Sequence, residues 1–295
     1  MQSLSVVILS KTLDDDIYKM NCNCLDSLFA SEDWEDYSLQ VFLIESNREN
    51  PYTYDDRVQV IIPEEPFNFH AYLNMGIKLS DTDFVALCNN DIVFSKGWYT
   101  EILKVKSGRK DFLCFSPIDR DYKTMSEELF PGNKDYYIGW DNKYHFAAWC
   151  FVLDRTIFKI TGMLDETFNF YSADDDFLMT LRKYALKNVL VTKSHVKHLS
   201  QQVTQKIGKR QSFEIFNKEK YPIPEKYLKK GYDWLWDDVR FYEAFFKMEK
   251  KWGNPLTIKR LNRLFTHFPV LRKPFFTRIM YSKFVNVILS KFTGA

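Results

Sequence analysis

Asn89, Asn90 and Asp91 interrupt an apolar run, LCNNDIVF, where one strand-like segment ends and another begins. An oxygen-rich turn of this kind can hold a hard divalent cation, because Mg²⁺ and Mn²⁺ take carboxylate and carbonyl oxygens together with substrate phosphates. Asp91 carries the formal charge and is the candidate ligand. Asn and Asp also favour turns through local hydrogen bonds, so the stretch by itself leaves both readings open. A second group, Asp174, Asp175 and Asp176, opens the helical pattern DDDFLMTLRKYA. Acids there suit the positive end of a helix dipole, which makes capping a sufficient reading for any one of the three. His198 ends the extended segment NVLVTKSHVKH and offers an imidazole for a cation or for solvent.

The elements that must position these residues alternate. LSVVIL (4–9) reads as a buried strand, followed by a helix over 16–30 with Ile17, Met20, Cys24, Leu25, Leu28 and Phe29 at helical spacing. LQVFLIE (39–45), VQVII (58–62) and DFVALC (83–88) are further strands, with a helix over 69–80 before the last. This alternation predicts a parallel sheet covered by helices on both faces. Ligands bind such sheets beyond the carboxyl ends of the strands, where Ser10, Lys11, Glu45, Ser46 and Asn89 to Asp91 fall. Residues 106–146 read as an irregular excursion over that cleft. AAWCFVLD (147–154) and residues 188–198 are extended, and helices are expected over 174–185, 211–219, 235–251, 256–266 and 275–292.

A chain of 295 residues holds one large domain, or a core of about 200 residues with an appendage. Seventeen per cent aromatic content with only ten Gly and ten Pro excludes collagenous, low-complexity and disordered classes. Five cysteines without a CxxC pair argue against a disulfide framework and for a reducing, cytoplasmic setting. The N-terminal apolar run is too short for a signal peptide or a membrane span. Charge is divided unevenly. Residues 201–295 hold 20 Lys and Arg against 8 Asp and Glu, and no acid follows Pro255. Such a tail is expected to meet an anionic surface, either phospholipid headgroups at the inner face of a membrane or nucleic acid, or to be a solvated helical face.

SVVILS, FLIESN, PFNFHAYLNMGI, FVALCNNDIVFSKGW, TGMLDETF, ADDDFLMTLRKYALKN and VKH, in this order over residues 4–200, resemble a nucleotide-sugar glycosyltransferase of family 2. The resemblance implies a GT-A fold: α/β, a Rossmann-like, mostly parallel sheet flanked by helices. With it go a catalytic domain over 1–200 and a helical, basic C-terminal region over 201–295. In this family NND stands at the DxD motif, so Asp91 would hold the metal and Asn89 would contact the ribose or diphosphate, with Asn90 between them. Glu45 stands where an Asp usually reads the nucleobase, Ser10 ends the first strand beside it, and Asn68 and Asn74 match amides lining the donor site. Asp174 aligns with the catalytic base when Ala185 is set on the family's usual Gly; a register shift of one would move that role to Asp175. His198 matches a histidine completing the metal shell. The chain departs from the pattern at Asn89, Glu45, Ala173 and Ala185.

The implied activity is an inverting, Mn²⁺- or Mg²⁺-dependent transfer of a hexose or pentose from a nucleoside-diphosphate sugar to a hydroxyl. The acceptor expected is a surface polysaccharide or a lipid-linked glycan. A hydroxymethylated DNA base is the alternative acceptor, and a catalytically inactive nucleotide-sugar-binding or scaffold protein is the alternative function.

Overall fold

The computed structural model describes residues 2–49, 51–119, 134–139, 146–199 and 219–293. The expected helix over 211–219 lies outside this set, apart from Glu219. The chain divides into two compact units, one of Met1–Leu164 with Leu186–Val203 and one of Asp165–Ala185 with Thr204–Ala295.

The first unit is built on a mixed α/β sheet of nine strands among the described residues. β1 (Ser3–Ser10), β2 (Ser38–Glu45), β3 (Val58–Ile61) and β4 (Phe84–Asn89) form a parallel block in the order β3-β2-β1-β4. β1 is central to it, and Leu4, Val6 and Val7 are fully buried. A strand covered on both faces reads as a continuous apolar run rather than an alternating one, which is what VVIL displays. Beyond β4 the sheet continues through β8 (Cys150–Asp154), β6 (Cys114–Asp119), β9 (Asn188–His198) and β5 (Ile92–Phe94), and β7 (Tyr136–Gly139) pairs with β9. The β4–β8, β6–β8, β5–β9 and β7–β9 ladders are antiparallel, and β6–β9 is parallel.

Helices α1 (Asp15–Phe29), α2 (Phe69–Leu79) and α3 (Trp98–Gly108) belong to this unit. Asp14 caps α1 by accepting from the backbone N–H groups of Asp16 and Ile17. Helix α2 lies close on β1 at Gly76, where a Cβ would come within 2.4 Å of a Val7 methyl. Any larger residue would push the helix off the strand.

The described residues of 106–146 differ from the expected irregular excursion: the first complete α3, and β6 and β7 are sheet members. Pro117 and a register shift after it break the periodicity of β6, which is why the segment reads as irregular. Five thiols are free, and Cys24, Cys88, Cys114 and Cys150 are buried. Burial pushes the Cys24, Cys88 and Cys114 thiols well up, so they pack as small apolar groups.

The second unit is helical. After α4 (Phe158–Thr161), which ends the first unit's β8 connection, come α5 (Ala173–Lys183), α6 (Glu225–Leu228), α7 (Val239–Trp252), α8 (Pro255–His267), α9 (Pro274–Met280) and α10 (Lys283–Thr293). The single helix expected over 275–292 is two. Tyr281 between them is buried, stacks on Phe265 at 5.4 Å and donates its hydroxyl to Asn262 Oδ1 at 2.7 Å, which turns the chain. No helix among the described residues is long and apolar enough to cross a membrane.

Candidate functional site

Strand register assembles the first unit's polar groups. Ser10 lies beside Glu45 in the β1–β2 ladder, and Leu9 lies beside Asn89 in the β1–β4 ladder. The carboxyl ends of three parallel strands therefore carry Ser10, Glu45 and Asn89 side by side, as in other open α/β sites.

Behind this edge is a buried network. The Glu45 carboxylate is fully buried and accepts from the Thr12 N–H at 3.0 Å, the Thr12 hydroxyl at 2.5 Å and the Asn47 N–H at 2.7 Å. Asn21 Nδ2 lies 2.8–2.9 Å from Thr12 Oγ1, Ser10 Oγ and Tyr54 Oη, while Asn21 Oδ1 accepts from Asn90 Nδ2 at 2.7 Å. Burial pushes the Tyr54 phenol up, so it stays protonated within this network. A carboxylate with no water around it needs such donors. Glu45, Ser10 and Asn90 thus fix the loop after β1 and the turn after β4, while Asn89 stands outside the network. The sequence did not point to Thr12, Asn21 or Tyr54. One signal was present: Asn21 sits in the buried stripe of α1 with Ile17, Met20, Cys24 and Leu25, a polar residue on an apolar face.

Asp91 and His198 come together next to this edge. His198 is paired with Ile92 across the β5–β9 ladder, and the Leu199 N–H donates to the Asp91 carbonyl at 2.8 Å. This pairing brings His198 Nε2 to 3.3 Å from Asp91 Oδ1. The separation lacks hydrogen-bond geometry, and Asp91 Oδ1 is a buried oxygen with no hydrogen-bond partner. Trp149 stacks on the His198 ring at 5.1 Å and 12°, and its carbonyl accepts from the Asn89 N–H at 2.8 Å. The indole thus fixes the imidazole plane and its backbone fixes the end of β4.

An unsatisfied buried carboxylate oxygen facing an imidazole nitrogen fits a divalent cation, which would supply the missing partner. No cluster of three or more His, Cys, Asp or Glu suited to a metal occurs among the described residues. Two protein ligands would leave the remaining positions to phosphate oxygens and water, as Mg²⁺ sites at nucleotides commonly do.

Asn68 and Asn74 act within the scaffold of the same unit. Asn68 caps α2 by accepting from the Ala71 N–H at 3.0 Å. Asn74 is buried and grips the Leu164 main chain with both ends of its amide, donating to the carbonyl at 2.8 Å and accepting from the N–H at 3.0 Å. With Gly76 against Val7, the stretch FNFHAYLNMG seats α2 and the loop before residue 165.

In the second unit, Asp174, Asp175 and Asp176 occupy the first turn of α5. Their roles separate by burial. Asp176 is 2% exposed and is held by Lys251 Nζ at 2.7 Å and Trp252 Nε1 at 2.7 Å, so it locks α5 to the end of α7. Lys251 also reaches Asp165 at 2.7 Å. Asp174 and Asp175 are half-buried. The residue before the helix, Ser172, has φ 60°, and the residue after its C-cap, Ala185, has φ 54°. Both are left-handed positions that favour glycine. Ala185 is the position that the sequence resemblance sets on a glycine.

The family model for glycosyl transferase family 2 matches residues 24–172, half of the chain. The chain belongs to glycosyl transferase family 2. Among solved structures, GalNAc-T7, described with UDP, GalNAc and Mn²⁺, is similar at TM-score 0.55 and 14% identity, covering 67% of this chain and 44% of that one. TarS of S. aureus is similar at TM-score 0.50 and 12% identity, covering 70% of this chain and 38% of that one. At these identities the likeness is one of fold, and it places this family 2 chain on a GT-A scaffold. The chain spans less than half the length of either. No curated protein matches the chain in sequence.

Proposed function

We propose that this family 2 protein is an inverting, divalent-cation-dependent glycosyltransferase that moves a sugar from a nucleoside-diphosphate sugar to a hydroxyl of a surface polysaccharide or lipid-linked glycan. The observation that carries the reading is the buried, unpartnered Asp91 Oδ1 at 3.3 Å from His198 Nε2, at the carboxyl end of a parallel block. A GT-A neighbour described with UDP and Mn²⁺ supports the same donor chemistry. Asp91 and His198 would hold the cation, which when bound neutralises the charge growing on the departing diphosphate.

The remaining work falls to the chain's own groups. Asn89, outside the buried network, is assigned the ribose or diphosphate contact. Glu45, Ser10 and Asn90 hold the loop edges against which a nucleotide would rest, and Asn68 and Asn74 keep α2 in register below them. In the second unit, Asp174 takes the acceptor hydroxyl proton, and Asp175 is the neighbour that would do so in the shifted register.

The test is calorimetric titration of UDP and GDP, each with and without Mn²⁺. Asp91→Ala should abolish the metal-dependent part of binding, while Asn89→Ala should weaken it less, because only the carboxylate brings charge to the cation. Metal-dependent binding that survives in Asp91→Ala overturns the reading.

A further inference from the structure

Helix α10 is turned outward. Phe284, Val287, Ile288 and Phe292, spaced i, i+3, i+4 and i+8, form one helical stripe, and they are 75%, 41%, 38% and 83% exposed. The polar Asn286 is fully buried instead, against Gly253, where a Cβ would meet its side chain at 2.8 Å. An amphipathic helix on a globular body normally buries its apolar stripe, as α8 does with Leu261 and Phe265. In α9 and the turn before it, Val270, Phe275 and Ile279 are also exposed, at 66%, 69% and 42%.

The charge of this region is uniform. From Pro255 to the end there are eight Lys and Arg and no Asp or Glu. Lys283 and Lys291 lie on α10 itself, and Lys273 and Arg278 flank the apolar residues of α9; all four are exposed. Apolar residues meant for water would be few and scattered, whereas these share a helical stripe on α10 with cations among and beside them.

We propose that α9 and α10 form a docking surface for an anionic lipid bilayer, lying in the headgroup plane with the Phe, Val and Ile side chains inserted. The cations would meet lipid phosphates while the apolar stripe enters the acyl boundary. An eleven-residue helix is about 16 Å long, against a hydrocarbon core of about 30 Å, so it lies on the bilayer and does not span it. A second copy of the chain fits less well, since a two-fold interface would set this basic patch against itself. A nucleic acid would use the cations and some rings but would leave Val270, Ile279, Val287 and Ile288 without a partner.

The surface is tied to the acid-bearing helix. Thr277 of α9 donates to the Lys183 carbonyl at the end of α5 at 3.1 Å, and the Arg278 guanidinium lies 5.3 Å over the Tyr184 ring. A bilayer held by α9 and α10 is thereby coupled to the element bearing Asp174 and Asp175. The inference does not rest on the transferase reading, because lipid binding is measured without donor or acceptor.

The experiment is flotation of the full chain with vesicles of phosphatidylcholine alone and of phosphatidylcholine with phosphatidylglycerol, beside a DNA titration and size-exclusion chromatography without lipid. The full chain should float with the anionic vesicles and not the neutral ones. Phe284→Ser with Phe292→Ser should lower that binding by about tenfold or more while leaving the melting curve unchanged, since both rings face solvent. Lys283→Gln with Lys291→Gln should lower it as well, and added salt should weaken it without abolishing it. Several outcomes overturn the proposal: no binding to anionic vesicles, binding that ignores the Phe pair, a dimer in solution broken by the Phe pair, or tighter DNA binding that the Phe pair leaves intact.

Discussion

Asp174 and Asp175 are adjacent on one helical turn, and successive helical residues point about 100° apart, so a single acceptor hydroxyl can be served by only one of them. Asp176 is removed from consideration by its engagement with Lys251 and Trp252. The resemblance, with Ala185 set on the family's usual Gly, assigns the base to Asp174, and Ala185 is a left-handed residue. Asp174→Asn keeps the shape and loses the proton affinity. It should leave nucleotide binding intact and slow transfer by about 10²- to 10⁴-fold, as measured by product formation under saturating donor. A dead Asp175→Asn beside an active Asp174→Asn would assign the base to the neighbour. At the same scale Glu45 accepts from both the Thr12 N–H and the Thr12 hydroxyl and so holds the loop after β1.

Elements explain which features could be read from the sequence. β1, β2 and β9 were legible because their apolar runs are uninterrupted, and the cap at Asp14 and the acids opening α5 mark their helices by residue type. The Asp91–His198 pair was legible only through the family resemblance, since 107 positions separate the two and the β5–β9 ladder, with the Leu199 N–H on the Asp91 carbonyl, joins them. The Thr12–Asn21–Tyr54 network was not legible, because parallel register and a loop contact, not spacing, bring it together. The sheet membership of β6 and β7 was hidden by Pro117 and by Tyr-rich composition. At the end of α5 the element carries a removable strain. Ala185 at φ 54° incurs the left-handed penalty of an L-residue, partly offset by the freedom a glycine would lose on folding. Ala185→Gly should stabilise the protein by about 0.5–1 kcal/mol, seen as a raised denaturant midpoint with an unchanged slope.

At the scale of the whole chain, the segment Asp165–Ala185 leaves the sheet-bearing unit to join the C-terminal helices, and Lys251 is one of the residues that fasten it there. The two acids it joins titrate in opposite senses. Partial burial acts to raise Asp165, yet hydrogen bonds from Lys251 and Thr167 outweigh it and hold the carboxyl at about 2. Its contribution is present above the unfolded carboxylate range near about 4 and is lost as pH falls toward 2. Asp176 is raised, because its burial outweighs the pull of Lys251 and Trp252. It therefore favours the folded state most when protonated, and that advantage fades as pH rises through its folded value. Lys251→Met removes the cation from both. Breaking a buried pair costs about 3–5 kcal/mol, and the loss here should fall at or below the lower end, since Lys251 keeps contact with water. The destabilisation should be larger toward neutral pH, where Asp176 would have to carry its charge without Lys251, and should shrink as acid protonates it. Chemical denaturation of the parent and the variant between pH 7 and pH 3 measures this directly. A deficit that stays constant or grows on acidification would show that Lys251 acts on α5 through packing on Phe168 and Trp252, whose rings lie 5.5 and 5.1 Å from its ammonium, and not through the buried acid.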